Sequence, residues 1–385
     1  MVPVALLLGC GEATNDVATE SSAIDTVASP VRGYTRSDSV HALVFRKPGS
    51  SHVFELTGAP GSMRTLTDMG GVAGGAPWGY RRSDNADVVM YVANDGHIHE
   101  MGRSGASFVD YDWTALPWLS APPAANTSID AIGYVGWDNR NVVAYRDQNN
   151  HVIEVISNFS GSPAWIVNDI TAQIGTPIAA GNVFPFGRYN GQLSIVYISA
   201  TDSHIHEVVR DPNGSIYTDA DLFAISGETV VPFSDVWAFR HDGMNDLFYV
   251  GSDQRLHRLS TSASGCFTAW CTSVILSATV RPAAGKRPSA YQKSDAKTAV
   301  VYVGTDGKLH EVSYGGLSPW TDVTIAALGM STPVSEPFAH RSPSPISNSV
   351  LLQVSAPGVG FAGMELSAEK PSVFAPVGPY AGETF

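Results

Sequence analysis

Glutamate recurs at one place along this chain. Glu55, Glu100, Glu154, Glu207, Glu311 and Glu365 each close a short tetrapeptide, and Arg258 stands where a seventh would fall. Successive positions are 45 to 54 residues apart. A carboxylate repeated in this way can accept hydrogen bonds from the vicinal hydroxyls of a sugar while an aromatic ring covers the sugar's C–H face. It can equally pair with a nearby arginine, such as Arg36 or Arg82, and brace the fold. The repeats bear on that pairing. The third copy keeps Glu154 but has Gly136 where the arginine would stand, and the fifth has Arg258 yet retains Arg240. Obligatory pairing is therefore not expected, and both roles stay open for each glutamate.

Two copies also carry paired imidazoles, His97-Ile98-His99 and His204-Ile205-His206. Residues two apart on a strand share a face, so each pair could offer two ligands to zinc. The first imidazole of each pair is matched by Arg255 and Lys308 in other copies. Neither can replace a metal ligand, so these histidines read as polar residues flanking a turn. No metal and no cofactor is expected. Catalytic signals are sparse: neither a Gly-x-Ser-x-Gly elbow nor a His-Glu-x-x-His helix is present. A glycoside hydrolase would need two carboxylates in one cleft. Here the acidic residues follow the repeat, which favours several similar weak sites or none.

The elements that must carry these residues follow from the same period. Each Glu closes a strand: His52-Val53-Phe54-Glu55, His97-Ile98-His99-Glu100, His151-Val152-Ile153-Glu154, His204-Ile205-His206-Glu207, Lys308-Leu309-His310-Glu311 and a worn Ala362-Gly363-Met364-Glu365. Ahead of it come an apolar run and a turn, as in Val88-Val89-Met90-Tyr91 then Asn94-Asp95-Gly96, or Val300-Val301-Tyr302-Val303 then Thr305-Asp306-Gly307. Asp-Gly between two β-rich runs predicts a tight hairpin. The apolar run does not alternate, which predicts a strand buried on both faces. A third element precedes the hairpin (Gly79-Tyr80-Arg81-Arg82). A fourth follows it, often with an aromatic residue and an Asp, as in Trp165 with Asp169, Tyr217 with Asp221 and Trp320 with Asp322. Four strands per repeat and seven repeats predict an all-β, seven-bladed β-propeller with four antiparallel strands per blade, or six blades if the worn last copy does not count. The repeats fall near 29–71, 72–116, 117–173, 174–227, 228–278, 279–329 and 330–385, together one domain over 29–385.

The 385-residue chain carries 15% charged residues, 37 Gly and 24 Pro, which suits many turns and few amphipathic helices. Its net charge of −13 argues against nucleic acid, whose binding needs a basic patch. Residues 1–10 run from an apolar stretch into Leu7-Leu8-Gly9-Cys10. This resembles a bacterial lipobox, which implies lipidation at Cys10 and a membrane contact through that anchor alone. Residues 11–28, rich in Ser, Thr, Ala and acids, then read as a flexible tether. In lipoproteins an Asp after the Cys retains the protein at the inner membrane. Gly11 stands there, which implies the outer membrane or cell surface. Cys266 and Cys271 are read as a local disulfide.

The apolar-Tyr strand, Asp-Gly turn and Ile-His-Glu strand resemble the repeat of fungal fucose-specific lectins and their bacterial relatives. That resemblance implies a propeller with sugar pockets between adjacent blades, each built from a Glu, an Arg and neighbouring aromatics. The family's Glu corresponds to Glu100, Glu154, Glu207 and Glu311, and to Glu55 and Glu365 in the weaker copies. Its Arg stands two residues before the strand Tyr, where this chain has Val89, Val143, Ile195, Leu247 and Val300. The bidentate fork of that family is therefore missing from its usual position. The reading that follows is a non-enzymatic, lectin-like protein whose partners are glycans or glycoconjugates. A propeller scaffold for protein partners is the alternative, and a glycan-processing hydrolase the third.

Overall fold

The computed structural model describes residues 30–379 except 47–49, 59–64, 105–106, 137, 158–164, 212–216, 242, 262–269, 276–279, 284–285, 294–295, 315–320, 325–335, 344–345, 357–359 and 371–372. It describes backbone alone from 340 onward and at 104, 272–275 and 321–323. Cys10, Cys266 and the tether lie outside the described residues.

The described chain folds into seven four-stranded antiparallel sheets, each a meander of consecutive strands. Sheet 1 comprises Arg32–Thr35, His41–Arg46, His52–Thr57 and Thr65–Val72. The others span 78–112, 132–169, 184–221, 237–275, 289–324 and 338–379. The first strands touch one another in cyclic order, from sheet 1 round to sheet 7 and back to sheet 1. Repeated sheets set radially about an axis are the β-propeller arrangement. No helix among the described residues is long and apolar enough to cross a membrane.

The expected hairpins are present. Gly96 and Gly307 hold positive φ of 85° and 72° at the tips, and Asn150, Ser203 and Gln254 take the same conformation in three other repeats. The Asp before Gly96 fixes the turn, since its Oδ1 accepts from the His97 amide at 3.0 Å. The second strands of sheets 1, 2, 3 and 6 are buried at every position, because a neighbouring sheet covers each face. Their tyrosines tie each sheet to the segment that enters it. The hydroxyls of Tyr145, Tyr197, Tyr249 and Tyr302 donate to the carbonyls of Pro122, Pro177, Val230 and Val280. Sheets approach closely where a tyrosine lies on a glycine of the next sheet. A Cβ on Gly79 would stand 2.3 Å from the Tyr34 ring, and one on Gly133 would stand 2.2 Å from that of Tyr80.

The axis is filled by side chains at one register position of the seven first strands: Arg32, Trp78, Ile132, Phe184, Trp237, Ser289 and Phe338. Four of these rings pack together, with Phe184–Trp237 at 4.8 Å and Trp78–Phe338 at 5.8 Å. Asp130 binds Arg32 at 2.6 Å and Arg287 at 3.1 Å beside them. Two short helices, Ile170–Ile174 and Leu222–Ser226, follow the outer strands of sheets 3 and 4, capped by Asp169 and Asp221. The sequence signalled those aspartates as part of a fourth strand and did not signal the helical turns.

Candidate functional site

The recurrent glutamates occupy one register position in the third strand of their sheets, opposite Val44, Met90, Ala144, Val196, Val301 and Leu351. Glu365 keeps this register despite its worn surroundings; its side chain lies outside the described residues. The other five are almost wholly buried, at 1 to 4% exposure. Burial of a lone carboxylate is costly, so each must find donors.

The donors come from two directions. One is the end of the same sheet's first strand. Arg82 Nη1 bonds Glu100 Oε1 at 2.8 Å, and Lys293 Nζ bonds Glu311 Oε1 at 2.5 Å. Arg36 and Arg188 approach Glu55 and Glu207 at 3.5 and 3.6 Å. The other is the next sheet. Arg103 of sheet 2 bonds Glu55 at 2.5 Å, and Arg210 of sheet 4 stands 3.4 Å from Glu154. Each described glutamate therefore faces a cation, contrary to the expectation from sequence. Gly136 does break the pattern within sheet 3, and the missing charge arrives from sheet 4.

Sheet 5 shows the same economy with signs reversed. Arg258, at the glutamate position, meets Asp246 at 2.9 Å, and Asp246 also bonds His241 at 2.7 Å. The strand pairing aligns His241, not Arg240, with Arg36 and Arg82. Ala238 pairs with Leu247 as Gly79 pairs with Val89, and Arg240 is exposed.

In sheets 2 to 5 an aromatic residue stands at or beside the start of the outer strand. The series is Phe108, Trp165, Tyr217 and Trp270, of which Trp165 and Tyr217 were visible in sequence as members of the fourth element. Tyr217 Oη donates to Glu154 at 2.5 Å, and Trp270 Nε1 donates to Glu207 at 2.7 Å. The Arg103 guanidinium lies 4.7 Å over Phe108. These junctions are closed by protein groups.

The junction between sheets 2 and 3 differs. The position that supplies Arg103 or Arg210 elsewhere is here Ser157, occupied in bonding the Asn141 amide. The aromatic is Trp165, whose ring lies 5.5 Å from the Arg82 guanidinium. Glu100 Oε2, Tyr80 Oη and Arg82 Nε are buried without hydrogen-bond partners. In sheets 1 and 6 the equivalent tyrosines, Tyr34 and Tyr291, donate to their glutamates. Burial pushes the Glu100 carboxyl above its ordinary range, and Arg82 draws it part of the way back. The Arg82 side chain remains one-fifth exposed. An Arg is thus present beside the carboxylate, although it comes from the first strand and not from the position held by Val89.

A wider cleft of about 450 Å³ lies among the first strands of sheets 3 to 5, lined by Tyr134, Phe186, Phe239 and Arg240 among others. None of the recurrent glutamates lines it. The paired imidazoles each have carboxylate partners: His97 bonds Asp112 at 2.8 Å, and His204 bonds Asp221 at 2.9 Å. Cys271 is disulfide-bonded.

No protein-family profile matches the chain, and no curated protein sequence matches it. Solved structures do. BP39L lectin from Burkholderia pseudomallei superposes with a TM-score of 0.69 at 14% identity, covering 91% of this chain and 99% of that one. A point mutant of the Aleuria aurantia lectin in complex with Fucα1-6GlcNAc gives 0.49 at 18% identity, covering 80% and 97%. SapL1 lectin in complex with α-methyl fucoside gives 0.48 at 15%, covering 92% and 96%. The chain thus shares its fold with a bacterial lectin.

Proposed function

We propose that this protein is a seven-bladed, non-enzymatic, lectin-like carbohydrate-binding propeller, and that its working sugar contact is the junction between sheets 2 and 3. One observation carries this reading. Glu100 Oε2 is buried and unpartnered beside Arg82 and Trp165, whereas protein groups close the corresponding junctions at Glu55, Glu154 and Glu207. A pyranose supplies what the junction lacks: hydroxyls that donate to the carboxylate and accept from the guanidinium, and a C–H face for the indole. The fold shared with a lectin supports the same reading. The lipobox-like stretch ending at Cys10 and the tether over 11–28 support a protein that works outside the cell, anchored by lipid to the bacterial outer membrane or cell surface.

The test is a glycan array probed with the full chain carrying C10S, which removes the acceptor for lipid. Glycan binding that is abolished by E100Q and by W165A, and retained in E55Q, is the expected result. Absence of binding to any glycan by a folded protein would overturn the proposal.

A further inference from the structure

Sheets 2 and 4 share a set of five side chains that the other sheets lack. In sheet 2 these are Asp95 in the hairpin turn, His97 and His99 on the third strand, and Asp110 and Asp112 on the fourth. In sheet 4 they are Asp202, His204, His206, Asp219 and Asp221. Strand register puts both sets on one face, since His99 pairs with Asp112 and His206 with Asp221.

The geometry within each set is that of ligands and their supports. Nitrogen and oxygen atoms of Asp95, His97 and His99 lie within 4.8 Å of one another, as do those of Asp202, His206 and Asp221. Four ligands at about 2.0 Å from a zinc ion stand about 3.3 Å apart, so these atoms lie within about 1.5 Å of that spacing. His99 Nδ1 bonds Asp110 at 3.1 Å, which turns Nε2 towards Asp112 Oδ2, 3.9 Å away. His206 Nδ1 likewise bonds Asp219 at 3.1 Å, and its Nε2 faces Asp202 Oδ2 at 3.3 Å. A carboxylate on the far nitrogen is the usual support for a metal-bound imidazole. Asp112 and Asp221 each spend one oxygen on backbone amides, which fixes the other towards the histidines. Tyr91 adds a further support. Its hydroxyl donates to Asp110 at 2.6 Å, where the equivalent tyrosines of sheets 3 to 6 bond backbone carbonyls.

The fold does not require these residues. Sheet 3 has Asn149, Ile153 and Val167 at the positions of Asp95, His99 and Asp110. Sheets 5 and 6 carry Arg255 and Lys308 in place of His97. The sequence reading set metal aside because of those two cations. The structure shows that the substitution accompanies loss of the outer-strand carboxylates in sheet 5, where Thr272 and Val274 stand in for Asp110 and Asp112.

We infer that sheets 2 and 4 each bind one divalent transition metal ion of the zinc type. The ligands are Asp95, His97, His99 and Asp112 in one site; in the other Asp202, His206 and Asp221 converge, and His204, bonded to Asp221, completes the set. Two imidazoles with two carboxylates suit zinc, whereas calcium and magnesium take oxygen alone. The inference does not depend on sugar binding.

Calorimetric titration of the chelator-treated full chain with zinc chloride tests it, alongside absorption spectra of the cobalt(II) form. The expected stoichiometry is two ions per chain. The paired substitution H97K/H99I uses residues that sheets 6 and 3 already hold at these positions, and it should reduce the stoichiometry to one. H204K/H206I should do the same, and the four substitutions together should abolish binding while circular dichroism stays unchanged. Wild-type stoichiometry below two, or zinc uptake that survives all four substitutions, overturns the inference.

Discussion

Arg210 and Glu154 belong to neighbouring sheets, and the guanidinium Nε stands 3.4 Å from carboxylate Oε1 with both side chains buried. Removing the arginine leaves a buried carboxylate whose pKa burial already raises. R210M should therefore destabilise the fold by about 3 to 5 kcal/mol in denaturant unfolding. E154Q in the same chain should recover much of that loss, because a neutral amide still accepts from Tyr217. A double variant as unstable as R210M alone would show that the arginine acts through packing.

The five described glutamates should not behave alike towards sugar. E55Q and E154Q alter carboxylates that already accept a hydrogen bond from the next sheet, from Arg103 and Tyr217, so glycan binding should persist. E100Q and R82M should each reduce affinity by at least about tenfold, corresponding to loss of one charge-assisted hydrogen bond at about 1.5 to 3 kcal/mol. Surface plasmon resonance on whichever glycan the array identifies measures this.

Asp130 predicts an acid limit. Burial opposes its charge, but Arg32 and Arg287 hold its pKa below the ordinary aspartate value. A depressed folded pKa contributes stability that is complete above the unfolded value, about 3.9, and is lost as pH falls below it towards the folded value. The stability difference between wild type and D130N should be largest near neutral pH and shrink below about pH 4. A difference that is constant from pH 7 to pH 3 would contradict this.

Charge reversal at Arg258 gives a fourth expectation. R258E would set two buried carboxylates against each other, since Asp246 now lies 2.9 Å from the guanidinium. Thermal unfolding should fall sharply in R258E. It should recover in H241R/D246S/R258E, which installs the Arg188, Ser194 and Glu207 arrangement of sheet 4.

The period, the hairpin and the doubly buried second strand were legible because each rests on residues close in sequence. The glutamates were legible as a series for the same reason. Their partners were not, since Arg103 reaches Glu55 across 48 positions and Trp270 reaches Glu207 across 63. Those separations are one repeat plus part of the next, and they acquire meaning only when sheets stand side by side. Arg240 was aligned one residue out because His241 pairs directly with Met244, a tighter turn than the Arg36–Val40 turn of sheet 1. The outer-strand aspartates were seen, but their convergence on the histidines depends on register between strands.

Every sheet is drawn from one continuous stretch of chain, the first and the seventh included. Among the described residues the circle therefore closes where the first strand of sheet 7 lies against that of sheet 1, with no described strand exchanged between them. Such a seam makes the repeats modular. Joining residue 379 to residue 30 by a short linker and opening the chain between any two other sheets would leave every ladder of hydrogen bonds intact. A whole repeat could also be gained or lost without unpairing a strand, which gives this architecture a simple route to rings of different size.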